Sequence, residues 1–140
     1  MVTPLPADPP RKRWTRDECK RLQASGWPDY DGLELIDGQL ISKKGAKRPH
    51  VNMLNAFMGF AFRTFGGDFV NINASIDVEP RENPKNEPVP DLIVLARRSD
   101  EINTNPIPTD VLLLTEVSDV TIGFDLNVKA ALYARAGIAD

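Results

Sequence analysis

Asp91, Glu116 and Lys129 carry charge where the surrounding sequence leaves little room for it. The run Val111-Leu112-Leu113-Leu114-Thr115-Glu116-Val117 is opened by Asp110 and closed by Ser118-Asp119. Its consecutive large aliphatics have no period of two, which predicts a central sheet strand covered on both faces. Glu116 sits at the rim of that strand, where an ionised carboxylate is costly unless a cation or several donors satisfy it. Asp91 opens a second aliphatic run, Leu92-Ile93-Val94-Leu95. If the two strands are neighbours, the carboxylates converge at one sheet edge. Paired hard oxygen ligands suit Mg²⁺, which keeps most of its waters. Lys129 follows on a helix, and an ammonium beside such an ion orients water or steadies charge developing on a phosphate. Two plainer readings remain open at this level. Glu116 is a salt-bridged glutamate at a strand end, or Lys129 makes an i,i+4 ion pair with Asp125.

Composition narrows the chemistry. The 140 residues suit one domain with a modest core, and 41% hydrophobic with 26% charged residues is ordinary for a globular protein. No apolar run approaches the roughly 20 residues of a membrane span. The first ten residues, Met-Val-Thr-Pro-Leu-Pro-Ala-Asp-Pro-Pro, hold no positive segment followed by an apolar core, so a cytoplasmic location is expected. Cys19 is the single cysteine and His50 the single histidine, which excludes an internal disulfide and any multi-cysteine or His-rich metal site. A net charge of −3 gives no global attraction to nucleic acid, so such binding must come from local patches.

The elements that position these residues can be read in order. Residues 1–13, rich in proline and ending in Arg11-Lys12-Arg13, have the composition of a disordered arm. Thr15-Arg16-Asp17-Glu18 has capping-box spacing and predicts a short helix to about Ala24, with Trp14 stapled against Cys19 or its neighbours. Asp37-Gly38 between two apolar runs predicts a hairpin over residues 33–41 with a type I′ turn. Lys43, Lys44, Lys47 and Arg48 then form a basic run, either a solvated loop or a phosphate contact. From Pro49, the spacing of Leu54, Phe57, Met58, Ala61 and Phe65 marks a helix face that Gly66-Gly67 ends. His50 lies in its first turn, as a cap or packing residue or as a catalytic one.

Strict alternation from Val70 to Val78 predicts a strand with one wet face. Residues 79–90 hold Pro80, Pro84, Pro88 and Pro90 and must form a loop outside the sheet interior. Asp125 is placed as the N-cap of a last helix through Lys129, Leu132 and Tyr133 to Ala136, with Gly137 after it. The plan is α/β with a mixed sheet.

Several segments, in this order, resemble the Uma-type restriction endonuclease family. They are Tyr30 through Ile41, Pro90-Asp91 before an aliphatic strand, Thr115-Glu116-Val117-Ser118-Asp119, Asp125-Leu126-Asn127-Val128-Lys129, and Leu132-Tyr133-Ala134-Arg135-Ala136-Gly137-Ile138. The resemblance covers roughly residues 14–138, and its specificity lies in the order and spacing of the motifs. This bacterial family belongs to the PD-(D/E)XK nuclease superfamily. The resemblance implies a restriction-endonuclease-like fold: a mixed central sheet flanked by helices, with an N-terminal hairpin. It further implies a Mg²⁺- or Mn²⁺-dependent endonuclease hydrolysing DNA phosphodiester bonds. Asp91 matches the family's PD aspartate and Glu116 the second metal ligand. Ser118 stands where the superfamily's usual lysine falls, and Lys129 matches the lysine that this family carries on the following helix. Glu34 matches an acidic residue of the hairpin that completes the site. Gln39 replaces a glutamate common at its position.

Compared with such relatives, residues 14–140 read as a domain cut short at its C-terminus, with further strands missing. The expected consequence is an exposed sheet edge and either marginal stability or a homodimer through that edge. The alternative to a nuclease is an inactive module that keeps the fold for binding or assembly. The enzyme needs Asp91, Glu116 and Lys129 clustered; the module needs only the packed sheet.

Overall fold

In the computed structural model, which describes residues 7, 9–27, 32–43, 47–118 and 122–138 and the backbone alone of Ile122, Asp125 and Leu126, Thr15 starts the first element. Its hydroxyl accepts the Glu18 N–H at 3.2 Å and caps helix α1, Arg16–Ala24. Ser25 and Gly26 close the helix, their N–H groups returning to Arg21 and Gln23 carbonyls. Strands β1, Leu33–Ile36, and β2, Gln39–Ser42, pair antiparallel with Ile36 opposite Gln39. Asp37 and Gly38 bridge them with φ of 48° and 74°. Two successive positive φ angles are what a type I′ turn requires, and Asp-Gly tolerates them at least strain.

The chain before α1 docks on that turn. The Trp14 N–H donates to the Gly38 carbonyl at 2.7 Å, and the Arg13 guanidinium donates to the Asp37 carbonyl and carboxylate at 2.6 and 2.7 Å. Trp14 is thus fixed by the hairpin through its backbone. A Cβ on Gly38 would meet the Arg13 Cβ at 2.7 Å. Gly38→Ala is therefore expected to destabilise the fold by about 1–3 kcal/mol, through left-handed strain and this clash together. Urea denaturation checks it, and an unchanged midpoint would contradict the docking of Arg13 on the turn.

Helix α2, Arg48–Phe65, follows and ends at Gly66, φ 85°. Of its expected inner face, Leu54, Met58 and Ala61 pack on the sheet, whereas Phe57 and Phe65 are exposed. Strands β3, Val70–Ile72, β4, Leu92–Leu95, and β5, Val111–Thr115, form a second sheet in the order β3-β4-β5. Among the described residues every strand pairing is antiparallel, so the α/β plan is built from two antiparallel pieces where a mixed sheet was expected.

The middle strand is β4, not β5. All four β4 residues are at most 1% exposed. Leu92 and Val94 join Ala61 and Val70 on the α2 side, while Ile93 and Leu95 join Ile36, Ile76, Val78, Leu132 and Tyr133 on the other. Two covered faces explain the uninterrupted aliphatic run of β4. In β5 a register shift opposite Val94/Leu95 turns Leu112 outward, 61% exposed, so its equally aliphatic sequence does not mean full burial.

Two expected boundaries move. The alternating segment 70–78 leaves the ladder after Ile72, because Asn73 takes φ 49°, a left-handed angle that asparagine tolerates better than most residues. Ile76 and Val78 stay fully buried, and the Ile76 and Asp77 N–H groups donate to the Pro88 and Pro106 carbonyls instead of to a strand. The period of two thus records burial in the core and not continuous sheet pairing. At the other end, Asp125 is not an N-cap. The helical path begins with α3, Ile122–Phe124, passes through a π-helical turn, Asp125–Lys129, and continues as α4, Ala130–Arg135. Gly137 follows with φ 77°, as the expected C-terminal glycine.

The proline-rich loop ties these parts together. Arg16 on α1 donates to the Asn86 carbonyl at 2.7 Å, to Asp77 at 2.7 Å and to Asn83 at 3.1 Å. Leu35 of β1 and Glu87 exchange backbone hydrogen bonds at 3.2 and 2.7 Å, making a single bridge between hairpin and loop. Pro88 and Pro90 are fully buried beside it. Among the described residues no helix is long and apolar enough to cross a membrane.

Candidate active site

The β4–β5 register decides where the two strand carboxylates go. Leu92 pairs with Thr115, so Asp91, one residue before, and Glu116, one residue after, emerge at the same end of adjacent strands. Asp91 is 4% exposed, and its Oδ2 accepts the Val117 N–H at 2.7 Å. That bond anchors Oδ2, while Oδ1 meets the Lys43 ammonium at 3.2 Å.

Lys129 comes from the π-helical turn before α4. A π turn is a wide, uncommon helical form found often at functional sites. Its side chain is nearly sealed from solvent, and Nζ lies 2.5 Å from Glu116 Oε1 and 3.1 and 3.0 Å from the two oxygens of Glu34. Tyr133, one helical turn later, donates its hydroxyl to the same Glu116 Oε1 at 2.7 Å. Glu34 is itself buried in β1, and its Oε2 accepts the Val89 N–H at 3.0 Å. All four candidates, Asp91, Glu116, Lys129 and Glu34, are therefore drawn into one cluster. Among the described side chains the partners of Lys129 are these glutamates, and the alternative pairing with Asp125 falls on a side chain outside the described ones.

Three more residues reach the cluster without having been placed there by the sequence. Lys43, expected with the basic run on the outside, turns inward. Its Nζ donates to the Val89 carbonyl and lies 3.2 Å from Asp91 Oδ1 and 3.8 Å from Glu116 Oε2. His50 Nε2, in the first turn of α2, is 4.0 Å from Asp91 Oδ1. Tyr133 is the third. Its i,i+4 spacing from Lys129 was the available signal, since both must share one helix face. Lys47 and Arg48 are exposed at the start of α2, and Lys44 lies outside the described residues.

Three carboxylates thus face two ammonium groups. Burial pushes the Glu116 carboxyl above its ordinary range, against the opposing pull of Lys129 and Lys43. For Lys129, burial acts downward, yet Glu116 and Glu34 outweigh it and keep the ammonium's affinity for its proton above the usual lysine value. Lys129 is accordingly held in its charged form.

The donor set fits a hard divalent cation. Asp91 Oδ1 and Glu116 Oε2 both lie close to one ammonium, Lys43 Nζ, at 3.2 and 3.8 Å. Among the described residues no group of three or more His, Cys, Asp or Glu is arranged to hold a metal. Hard carboxylate oxygens are the kind of ligand that Mg²⁺ takes beside its waters.

Comparison with known proteins adds a family to this geometry. No curated protein matches the chain. The model of the family Uma2, described as "Putative restriction endonuclease", matches residues 21–140, a span that contains the hairpin, all three strands of the second sheet and every residue of the cluster. Matched over most of its length, the chain belongs to the Uma2 family of the PD-(D/E)XK restriction-endonuclease-like superfamily.

Proposed function

We propose that this protein is a metal-dependent endonuclease that hydrolyses DNA phosphodiester bonds, with Asp91 and Glu116 as ligands of one Mg²⁺ or Mn²⁺ ion. The observation that carries the reading is the meeting of these two carboxylates at one end of β4 and β5 beside a buried ammonium. Bound there, the ion supplies positive charge against the scissile phosphate and makes a water more acidic. Everything else is work for this chain's own side chains. Val117 and Tyr133 hold Asp91 and Glu116 in single orientations, so little reorganisation is needed when charge develops. Glu34 and Glu116 hold the Lys129 ammonium between them as a fixed positive charge, whose field favours negative charge developing beside Glu116. Glu34 acts through Lys129, as a positioning residue.

The experiment is conversion of supercoiled plasmid to nicked or linear DNA with Mg²⁺, with Mn²⁺ and with a chelator. Cleavage that needs the ion supports the reading. A folded protein that binds DNA but never cuts it, under any of these conditions, would favour the inactive module for binding or assembly.

Approach of the polyanion falls to the exposed basic residues. Lys47 and Arg48 stand at the start of α2, whose first turn holds no acidic residue, and His50 in that turn leads to Asp91. Backbone N–H groups and cations at a helix start both favour phosphate. Lys47→Ala/Arg48→Ala should weaken DNA binding at all sequences and reduce the slope of log K against log salt by about 2, one per lost phosphate contact. Adding Lys44→Ala should flatten it further. A slope unchanged in all of these variants, measured by fluorescence anisotropy on short duplexes, would remove the basic run from the interface.

A further inference from the structure

Lys43 is held differently from Lys129. Its closest partner is a neutral group, the Val89 carbonyl, and its backbone N–H is pinned to the Gly32 carbonyl at 2.8 Å just past the end of β2. Its side chain is 20% exposed, against 2% for Lys129. Glu116 has Lys129 and Tyr133 on its other oxygen, but Lys129 is shared with Glu34, so Lys43 supplies the second positive charge of the cluster. What Lys43 does is reach both strand carboxylates with one ammonium, Asp91 Oδ1 at 3.2 Å and Glu116 Oε2 at 3.8 Å.

We propose that Lys43 is a tethered stand-in for the divalent ion: its ammonium occupies the ion's place between Asp91 and Glu116 and must leave when the ion binds. The proposal rests on the reading of Asp91 and Glu116 as the ion's ligands. An ammonium and a divalent cation cannot share the same two oxygens without strong repulsion at low effective dielectric. The lysine is near enough to solvent to swing out, and its flexible four-carbon stem permits this without moving the hairpin. Without an ion, the ammonium keeps two adjacent carboxylates from repelling each other. With one, it competes, lowers the ion's apparent affinity and restricts loading to conditions in which the ion is abundant.

The test is calorimetric titration of the full chain with Mn²⁺ alone, beside melting curves with and without Mn²⁺. Lys43→Met keeps the stem and removes the charge. It should bind Mn²⁺ at least about tenfold more tightly than the parent chain, since a like charge no longer opposes the ion. It should also melt lower without the ion and gain more from it. Equal or weaker Mn²⁺ binding by Lys43→Met, with Asp91→Asn still abolishing that binding, would overturn the stand-in role while leaving the metal reading intact. If the folded parent chain and Lys43→Met both fail to bind Mn²⁺ at millimolar concentration, the ligand assignment itself fails and the proposal falls with it. Should Lys43→Met not fold, Lys43→Gln keeps a donor for the Val89 carbonyl and is held to the same outcomes.

Discussion

Lys129→Met should lose most of its stability near neutral pH and recover much of it in mild acid. Lys129 is 1% exposed, and its ammonium is the shared counter-charge of Glu34 and Glu116. Removing one partner of a buried ion pair costs about 3–5 kcal/mol, because the remaining charge has no solvent to turn to. Domains of this kind have roughly 5–15 kcal/mol in all, so the variant sits near the edge of folding. The pH dependence follows from the direction of the Glu116 shift. Burial already raises that carboxyl in the folded chain, and Lys129 is the largest influence opposing the rise. Between the ordinary carboxylate range and the raised folded value, the native state holds more of the proton than the unfolded chain does. This contribution to stability is therefore present at low pH and is lost as pH rises through the folded value. Without Lys129 the window widens upward. In the parent chain the lysine's own raised value adds stability that is present below the ordinary lysine range and is lost only as pH climbs through the folded value.

Urea denaturation at pH 5 and pH 8 measures both effects. The parent chain should change modestly between them, and Lys129→Met steeply. Lys129→Met combined with Glu116→Gln should regain part of the loss at pH 8, because the pair is then removed and not merely broken. Equal stability of parent and variant at pH 8 would mean that the cluster is open to water and that the buried ion pair has no energetic weight.

Asp91→Asn should leave the fold nearly intact and abolish cleavage. The amide oxygen can still accept the Val117 N–H, now made to Oδ2 at 2.7 Å, so the backbone geometry survives. What disappears is one of two negative charges at the end of β4 and β5. A site that depends on a pair of carboxylates to hold a divalent ion then loses both ion and rate, with a drop in plasmid nicking of roughly a thousandfold or more, about 4 kcal/mol. The melting temperature should no longer rise with Mg²⁺ or Mn²⁺, by the linkage between ion binding and the native state. Retained nicking with an unchanged ion response would show that Asp91 is a structural partner of Lys43 and Val117 only. Reading melting and cleavage together separates loss of the ion from loss of the chemistry: Lys129 variants that still fold should keep the first response and lose the second.

Local chemistry made much of this protein legible from its sequence. Thr15 caps α1, Asp37-Gly38 turns the hairpin, and Gly66 and Gly137 end helices, because capping and positive φ angles are decided by residues within a turn of one another. The two aliphatic runs were legible as strands, and a charged residue at the end of each marked one sheet edge. The register Leu92 with Thr115 then brought Asp91 and Glu116 together as their positions required.

Tertiary structure decided which of those strands is central. Val111–Thr115 and Leu92–Leu95 are equally apolar, and only the packing of α2 on one side and α4 with the hairpin on the other buries β4 entirely while a register shift turns Leu112 outward. It also decided that the alternation from Val70 to Val78 is one short strand and a buried loop, since the break at Asn73 is offset by backbone bonds to Pro88 and Pro106, contacts distant in sequence. The composition of the site was divided in the same way. Asp91, Glu116 and Lys129 stood out because charge beside apolar runs is costly and visible in one dimension. Lys43, in a run of four cations, resembled any solvated loop, and its inward turn exists only because the hairpin's pairing with Glu87 carries it past Val89 to the two carboxylates.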